Sequence, residues 1–155
     1  MISNTEGTFF LTGKDFVNAG KASSRLKKVL ENLGLPPGII RRASIAAFEA
    51  EMNTSIYAVA GIMHYYITPE TIRVEIKDMG PGIEDIALAL TEGYSTAPDY
   101  IREMGFGSGM GLPNIKKNTD SLTITSAVGE GTTLDFVINL TGTSEGAEHD
   151  TERNC

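Results

Sequence analysis

The chain has 155 residues, enough for one domain with one core, and its formal net charge is −7. That acidic balance excludes general binding to nucleic-acid backbones, which needs a basic surface, though not a local basic pocket. A single cysteine, Cys155, excludes a disulfide framework, and with no secretory leader and no apolar run near roughly 20 residues a cytoplasmic protein away from membranes is expected.

The first predicted element is a short strand over 8–12, TFFLT. Residues 19–33 predict a helix: Leu26, Val29, Leu30 and Leu33 recur at helical spacing, with Lys27, Lys28 and Glu31 opposite. Gly34 ends it, and LPPG leads into the longest helical stretch, 39–59, which Gly61 is expected to close. IMHYYI (62–67), TPET and IRVEIKD (72–78) predict an antiparallel hairpin, because Ile72, Val74 and Ile76 alternate with Arg73, Glu75 and Lys77. MGPGI then breaks the chain before a short helical stretch, EDIALALTEG, and residues 93–110 carry no clear period. A helix from Leu112 to about Asp120 precedes two last strands, 122–127 and 132–140, joined by VGEG. The tail, 141–155, is polar and acidic and is predicted to be disordered, leaving 1–140 as the domain. The sum is an α+β, two-layer sandwich: a mixed, mostly antiparallel sheet with helices on one face.

Three separated clusters are candidates for chemistry. In FEAEMN (48–53), Glu49 and Asn53 stand four apart, so a helix puts them on one face. A carboxylate beside a carboxamide suits an Mg²⁺ site with a general base next to it, because that ion takes oxygen ligands and keeps several waters. A polar pair on a solvated helix face is the alternative. Glu51 falls about 200° round the helix from Glu49 and cannot join that site. DMGPG (78–82) closes the alternating strand. Asp78 there can accept a hydrogen bond from an exocyclic amine, with Gly80 and Gly82 letting the backbone approach a flat ring; an ordinary turn is the alternative. In GFGSGMG (105–111), the N–H groups of Gly107, Gly109 and Gly111 and the helix start behind them suit phosphates, and a flexible surface loop is the alternative. This run contains neither a Walker A loop nor a Rossmann turn.

The order of the motifs is more specific than any one of them. E-x-x-x-N on a helix, D-x-G-x-G at a strand end, G-x-G-x-G opening a helix and G-x-G-T before a last strand resemble the GHKL, or Bergerat, ATP-binding fold shared by DNA gyrase, histidine kinases and the MutL repair protein. The resemblance spans 39–140. It is nearest to the stand-alone serine-protein kinases and anti-sigma factors, through the bare ATP-binding domain, the helix 39–59 that opens the core, and GMGLPNIKK followed by Asp120 and GEGTT.

This resemblance implies a serine/threonine-protein kinase and anti-sigma-type regulator using ATP and Mg²⁺. Its partner would be a sigma factor or an antagonist that bears the target serine. Asn53 would ligate Mg²⁺, and Glu49 would be the general base. Asp78 would hold the adenine amine, Thr132 would support that edge through water, and Gly80 and Gly82 would lie along the ring. Gly107, Gly109 and Gly111 would form part of a lid over the phosphates. A non-catalytic, ATP-dependent binding module and a slow ATPase switch are the alternatives. The first is motivated by Gly107, which stands where some sporulation-type kinases carry an Arg. A homodimer is also compatible with the resemblance; nucleic acid and membranes are not expected partners.

Five further positions are read without the resemblance. Ser95 and Thr96 are turn residues or phosphate contacts, Lys116 and Lys117 are solvated helix lysines with a phosphate contact by one of them as the alternative, and His64 is a strand-face or partly buried histidine rather than a phosphoacceptor.

Overall fold

The computed structural model describes residues 3–103, 107 and 109–140. The predicted disordered tail and Cys155 lie outside the described residues. The chain runs β1 (Thr5–Thr12), α1 (Lys21–Asn32), α2 (Pro37–Tyr57), β2 (Ala60–Ile67), β3 (Thr71–Asp78), α3 (Ile86–Ala89), α4 (Asp99–Glu103), α5 (Gly111–Asn118), β4 (Ser121–Ala127) and β5 (Gly131–Asn139).

The strands form one sheet in the order β1-β2-β3-β5-β4. The sheet expected to be mostly antiparallel is antiparallel at every pairing. Burial explains the order. Ile72, Val74 and Ile76 on β3 and Leu134, Phe136 and Ile138 on β5 are almost wholly buried, as neighbouring central strands require. The inward residues of β4, Leu122 and Ile124, are only half-buried, which suits an edge.

Helices α1, α2 and α5 cover one face. Helix α2 sits centrally because Ala43, Ala46, Ala47 and Ala50 are fully buried and small enough to bring its backbone close to its neighbours. Leu26 and Leu30 of α1 and Leu112 and Ile115 of α5 complete the core. Pro37 starts α2 where a missing N–H costs nothing.

Helix α2 stops at Tyr57, short of the expected stop at Gly61, which lies inside β2. The N–H of Lys14 donates to Ser55 O at 2.8 Å, and its ammonium donates to Ile56 O. These bonds occupy the last helical carbonyls and release Ala58 into an extended conformation. Gly61 is needed for a different reason: a Cβ there would stand 2.9 Å from Thr54 Cγ2, where β2 passes under α2.

The other face of the sheet is mostly polar, apart from the exposed cross-strand pair Phe10 and Ile62. Arg73 donates to Asp135 at 2.6 Å and lies over the Tyr66 ring, and His64 shares a hydrogen bond with Thr8 at 2.8 Å. His64 is thus a strand-face histidine, as expected. No helix among the described residues is long and apolar enough to cross a membrane.

Candidate functional site

Two groups of predicted residues meet around α2. The first gathers at the end of β3. Asp78 Oδ1 accepts from Gly80 N–H at 3.0 Å and from Thr132 N–H at 3.0 Å. Its second oxygen has no protein donor among the described residues. Burial raises the pKa of Asp78, and the Thr132 and Gly80 N–H groups oppose that rise. Gly80 packs beside the C-terminal turn of α2, where a Cβ would stand 3.3 Å from Tyr57 O. Gly82 has φ +82°, and a Cβ would collide with Ala127 O at 2.2 Å, so the loop after β3 closes on the β4–β5 turn only with glycine there.

The second group lies along α2 itself. Glu49 and Asn53 share a helical face and are both half-buried. The Glu49 carboxyl faces the Asn114 side chain on α5 and lies against Gly111, whose added Cβ would be 3.4 Å from Glu49 Oε2. Burial raises the Glu49 pKa, and the Asn114 bond pulls it partly back. Asn53 makes no hydrogen bond to any described residue, so its carboxamide is open to a ligand. The two groups occupy opposite ends of one wall: eight residues of helix separate Glu49 from Tyr57, a rise of about 12 Å.

Helix α5 opens at Gly111 with Met110 as N-cap and no side-chain cap. Its first N–H groups therefore face outward uncapped, with one missing at Pro113. Gly93 N–H donates to Gly109 O at 3.1 Å, and Glu92 pairs with Lys117 at 2.5 Å. These contacts cinch the segment 93–109 at its base. Lys117 is thus the solvated helix lysine expected, with a surface ion pair to Glu92.

The middle of the segment holds α4, which no sequence period announces. Ala97 and Ile101 are buried in a small separate core with Ile56, flanked by Phe16 and Tyr57. Ser95 Oγ accepts from Ala97 N–H at 3.1 Å, the turn role expected of it. Gly107 has φ +70°, and a Cβ would meet Ala97 Cβ at 2.5 Å. The side chain absent at Gly107 is therefore excluded by packing. Gly105, Phe106 and Ser108 of the glycine run lie outside the described residues.

Three residues of the site escaped the sequence reading. Asn114 faces Glu49 and lies within GMGLPNIKK, a stretch read for its glycines and lysines and not for this asparagine. Ser126 pairs across the sheet with Thr132 and bonds three groups around it. Glu51, rightly excluded from the Glu49 face, is buried and caps α1 by accepting from Ala22 and Ser23 N–H. Among the described residues no cluster of three or more His, Cys, Asp or Glu groups forms a self-sufficient metal site.

A family profile described as a histidine kinase-like ATPase domain matches residues 15–138. The chain is 29% identical over 117 residues to the serine/threonine-protein kinase RsbT of Bacillus subtilis (strain 168), a match that covers 72% of this chain and 80% of that protein. It is 29% identical over 102 residues to the anti-sigma F factor of Anoxybacillus flavithermus (strain DSM 21510 / WK1), covering 66% of this chain and 63% of that one. Among solved structures, the mycobacterial sensor histidine kinase MprB matches with a TM-score of 0.51 and 16% identity, over 87% of this chain and 97% of that chain. The last is a likeness of fold alone.

Proposed function

This chain belongs to the histidine kinase-like ATPase domain family, and on that premise we propose that it is an ATP-dependent serine-protein kinase that regulates a partner protein. Residues 1–140 form the ATP-binding domain in this reading, and the acidic remainder lies outside it. The carrying observation is Glu49: a half-buried carboxyl facing Asn114 and Gly111 at the start of α5, one helical turn from Asn53, which has no hydrogen bond to a described residue.

The residues fit ATP and Mg²⁺. Asp78 keeps one oxygen open beside two backbone approaches that only small residues permit, which suits the adenine amine, with Thr132 next to it. Gly80 and Gly82 lie along the ring. Asn53 offers one neutral oxygen, enough for an Mg²⁺ ion that takes its other ligands from phosphates and water. The uncapped start of α5, with Gly107, Gly109 and Gly111, offers N–H groups to the phosphates. When bound, the metal neutralises charge on the phosphate oxygens. Glu49 takes the proton of the partner's serine hydroxyl as that oxygen bonds to the terminal phosphorus and the bond to the ADP oxygen breaks. The partner is a protein bearing that serine, or a sigma factor held in the same way. The relatives RsbT and anti-sigma F factor support this class of partner.

One observation favours a second reading, an ATP-dependent sequestering module without transfer. The packing at Gly107 excludes any side chain that would reach the phosphates from there.

One experiment separates the two. Partners are captured from the source lysate on immobilised protein with Mg·ATP, and γ-labelled ATP is added. Label on a partner serine, lost in Glu49→Ala while ATP binding persists, is the expected result. Capture without label replaces the kinase with the sequestering module.

A further inference from the structure

The hydroxyl of Ser126 has three neighbours, and together they leave it no freedom. Ile83 N–H donates to Ser126 Oγ at 2.7 Å. Gly131 O lies 3.1 Å away and can only accept, so the one proton of Ser126 goes there. Thr132 Oγ1 lies 2.8 Å away. With the Ser126 proton spent on a carbonyl, the Thr132 hydroxyl must donate to Ser126. Ser126 is then saturated, with one bond donated and two accepted. Thr132 keeps two lone pairs and has no proton left for anything else.

We propose that Ser126 sets the base specificity of this site by fixing the Thr132 proton, so that Thr132 meets the nucleotide as an acceptor only. The proposal rests on the ATP reading above and names what makes that site prefer adenine. The register supplies the geometry: Ser126 and Thr132 are a direct cross-strand pair, and both point to the helix side of the sheet. The neighbouring Asp78 has its Oδ1 filled by two N–H groups and presents its other oxygen, again an acceptor. The polar edge therefore offers acceptors at two adjacent points. A purine bearing an exocyclic amine satisfies them, directly or through one water. A purine with a carbonyl at that carbon sets acceptor against acceptor and leaves buried lone pairs unpaired, the more costly outcome. Ser126 touches no base in this scheme and is a positioning residue. It also ties the loop after Gly82 to the β4–β5 turn through Ile83, so the two sides of the edge keep one spacing.

The test compares binding of Mg·ATP and Mg·inosine triphosphate, which differ by an amine against a carbonyl, using calorimetry on the whole chain. The wild type is expected to prefer ATP. In Ser126→Ala the Thr132 hydroxyl is free to rotate and donate, and the ATP:inosine preference should shrink about fivefold or more. Ser126→Thr, which keeps the hydroxyl, should restore it. A folded Ser126→Ala with the wild-type preference overturns the proposal while ATP binding stands. If that variant does not fold, Thr132→Val decides: its N–H still reaches Asp78, and the preference should shrink in the same way, an unchanged preference being the overturning result. A wild type that binds neither nucleotide removes the ATP reading and this proposal together.

Discussion

Glu49 and Glu51 stand two residues apart on α2 and serve opposite sides of it. Glu51, 4% exposed, accepts from Ala22 N–H at 3.2 Å and Ser23 N–H at 3.0 Å, giving α1 the N-terminal anion that its own sequence lacks. Glu49 faces Asn114 and Gly111 instead. Glu51→Ala leaves two buried N–H groups unmet and is expected to cost about 2 kcal/mol of stability. Glu49→Ala is expected to cost far less. Urea titration of both variants checks this, and equal midpoints would refute the division of labour.

The raised pKa of Glu49 has two opposite consequences with pH. A general base works only when ionised, so phosphate transfer is expected to fall as pH drops through a value above the ordinary carboxylate range. Asn114→Leu removes the bond that lowers this pKa, so the acid limb should move to higher pH. Stability runs the other way. A raised carboxyl favours the protonated folded state, so its contribution is full at low pH and is lost as pH rises through the folded value. Glu49→Gln should therefore flatten the upper part of the stability curve. Rate and melting profiles across the acid range, measured side by side, check both signs.

Asp78→Asn preserves shape but replaces the open oxygen with an amide donor, or forces that donor against two backbone N–H groups. ATP affinity is expected to fall about 30-fold, equivalent to about 2 kcal/mol, with little change in melting temperature. Calorimetric titration measures the first and a thermal melt the second. A large drop in melting temperature would make Asp78 a structural residue first.

Gly107→Arg tests whether an arginine would help here. With φ +70° and Ala97 Cβ only 2.5 Å from an added Cβ, the substitution should push Ala97 and Ile101 out of their small core. Faster proteolysis between 93 and 103 and no gain in transfer are expected. Increased transfer with unchanged proteolysis would show that the segment accommodates the side chain.

Local patterns in the chain were enough for the parts of the fold whose causes are local. The alternation of Ile72, Val74 and Ile76 foretells β3, and the spacing of Leu26 and Leu30 foretells α1. The ordered glycine motifs point to the residues that meet at Asp78. What escaped depends on contacts distant in sequence. Helix α4 is five residues long and exists because Ile101 finds Ile56 and Phe16. The stretch EDIALALTEG, expected as a helical segment, yields only the four-residue α3, which has no fully buried residue and touches the core through the half-buried Ala89. Ser126 reads as one more polar residue in an alternating strand until Ile83, Gly131 and Thr132 are placed around it. Glu51 carries no sign that it caps a helix that begins 30 residues earlier.

The last described strand, β5, inserts between β3 and β4 and pairs with both. During synthesis β3 is therefore made long before its partner, and its outer edge waits unpaired while α3, α4, α5 and β4 emerge from the ribosome. Asp78 has no Thr132 to fix it until nearly the whole domain has been translated. The polar edge at Asp78 is thus assembled late, after every other described element of the fold has been made.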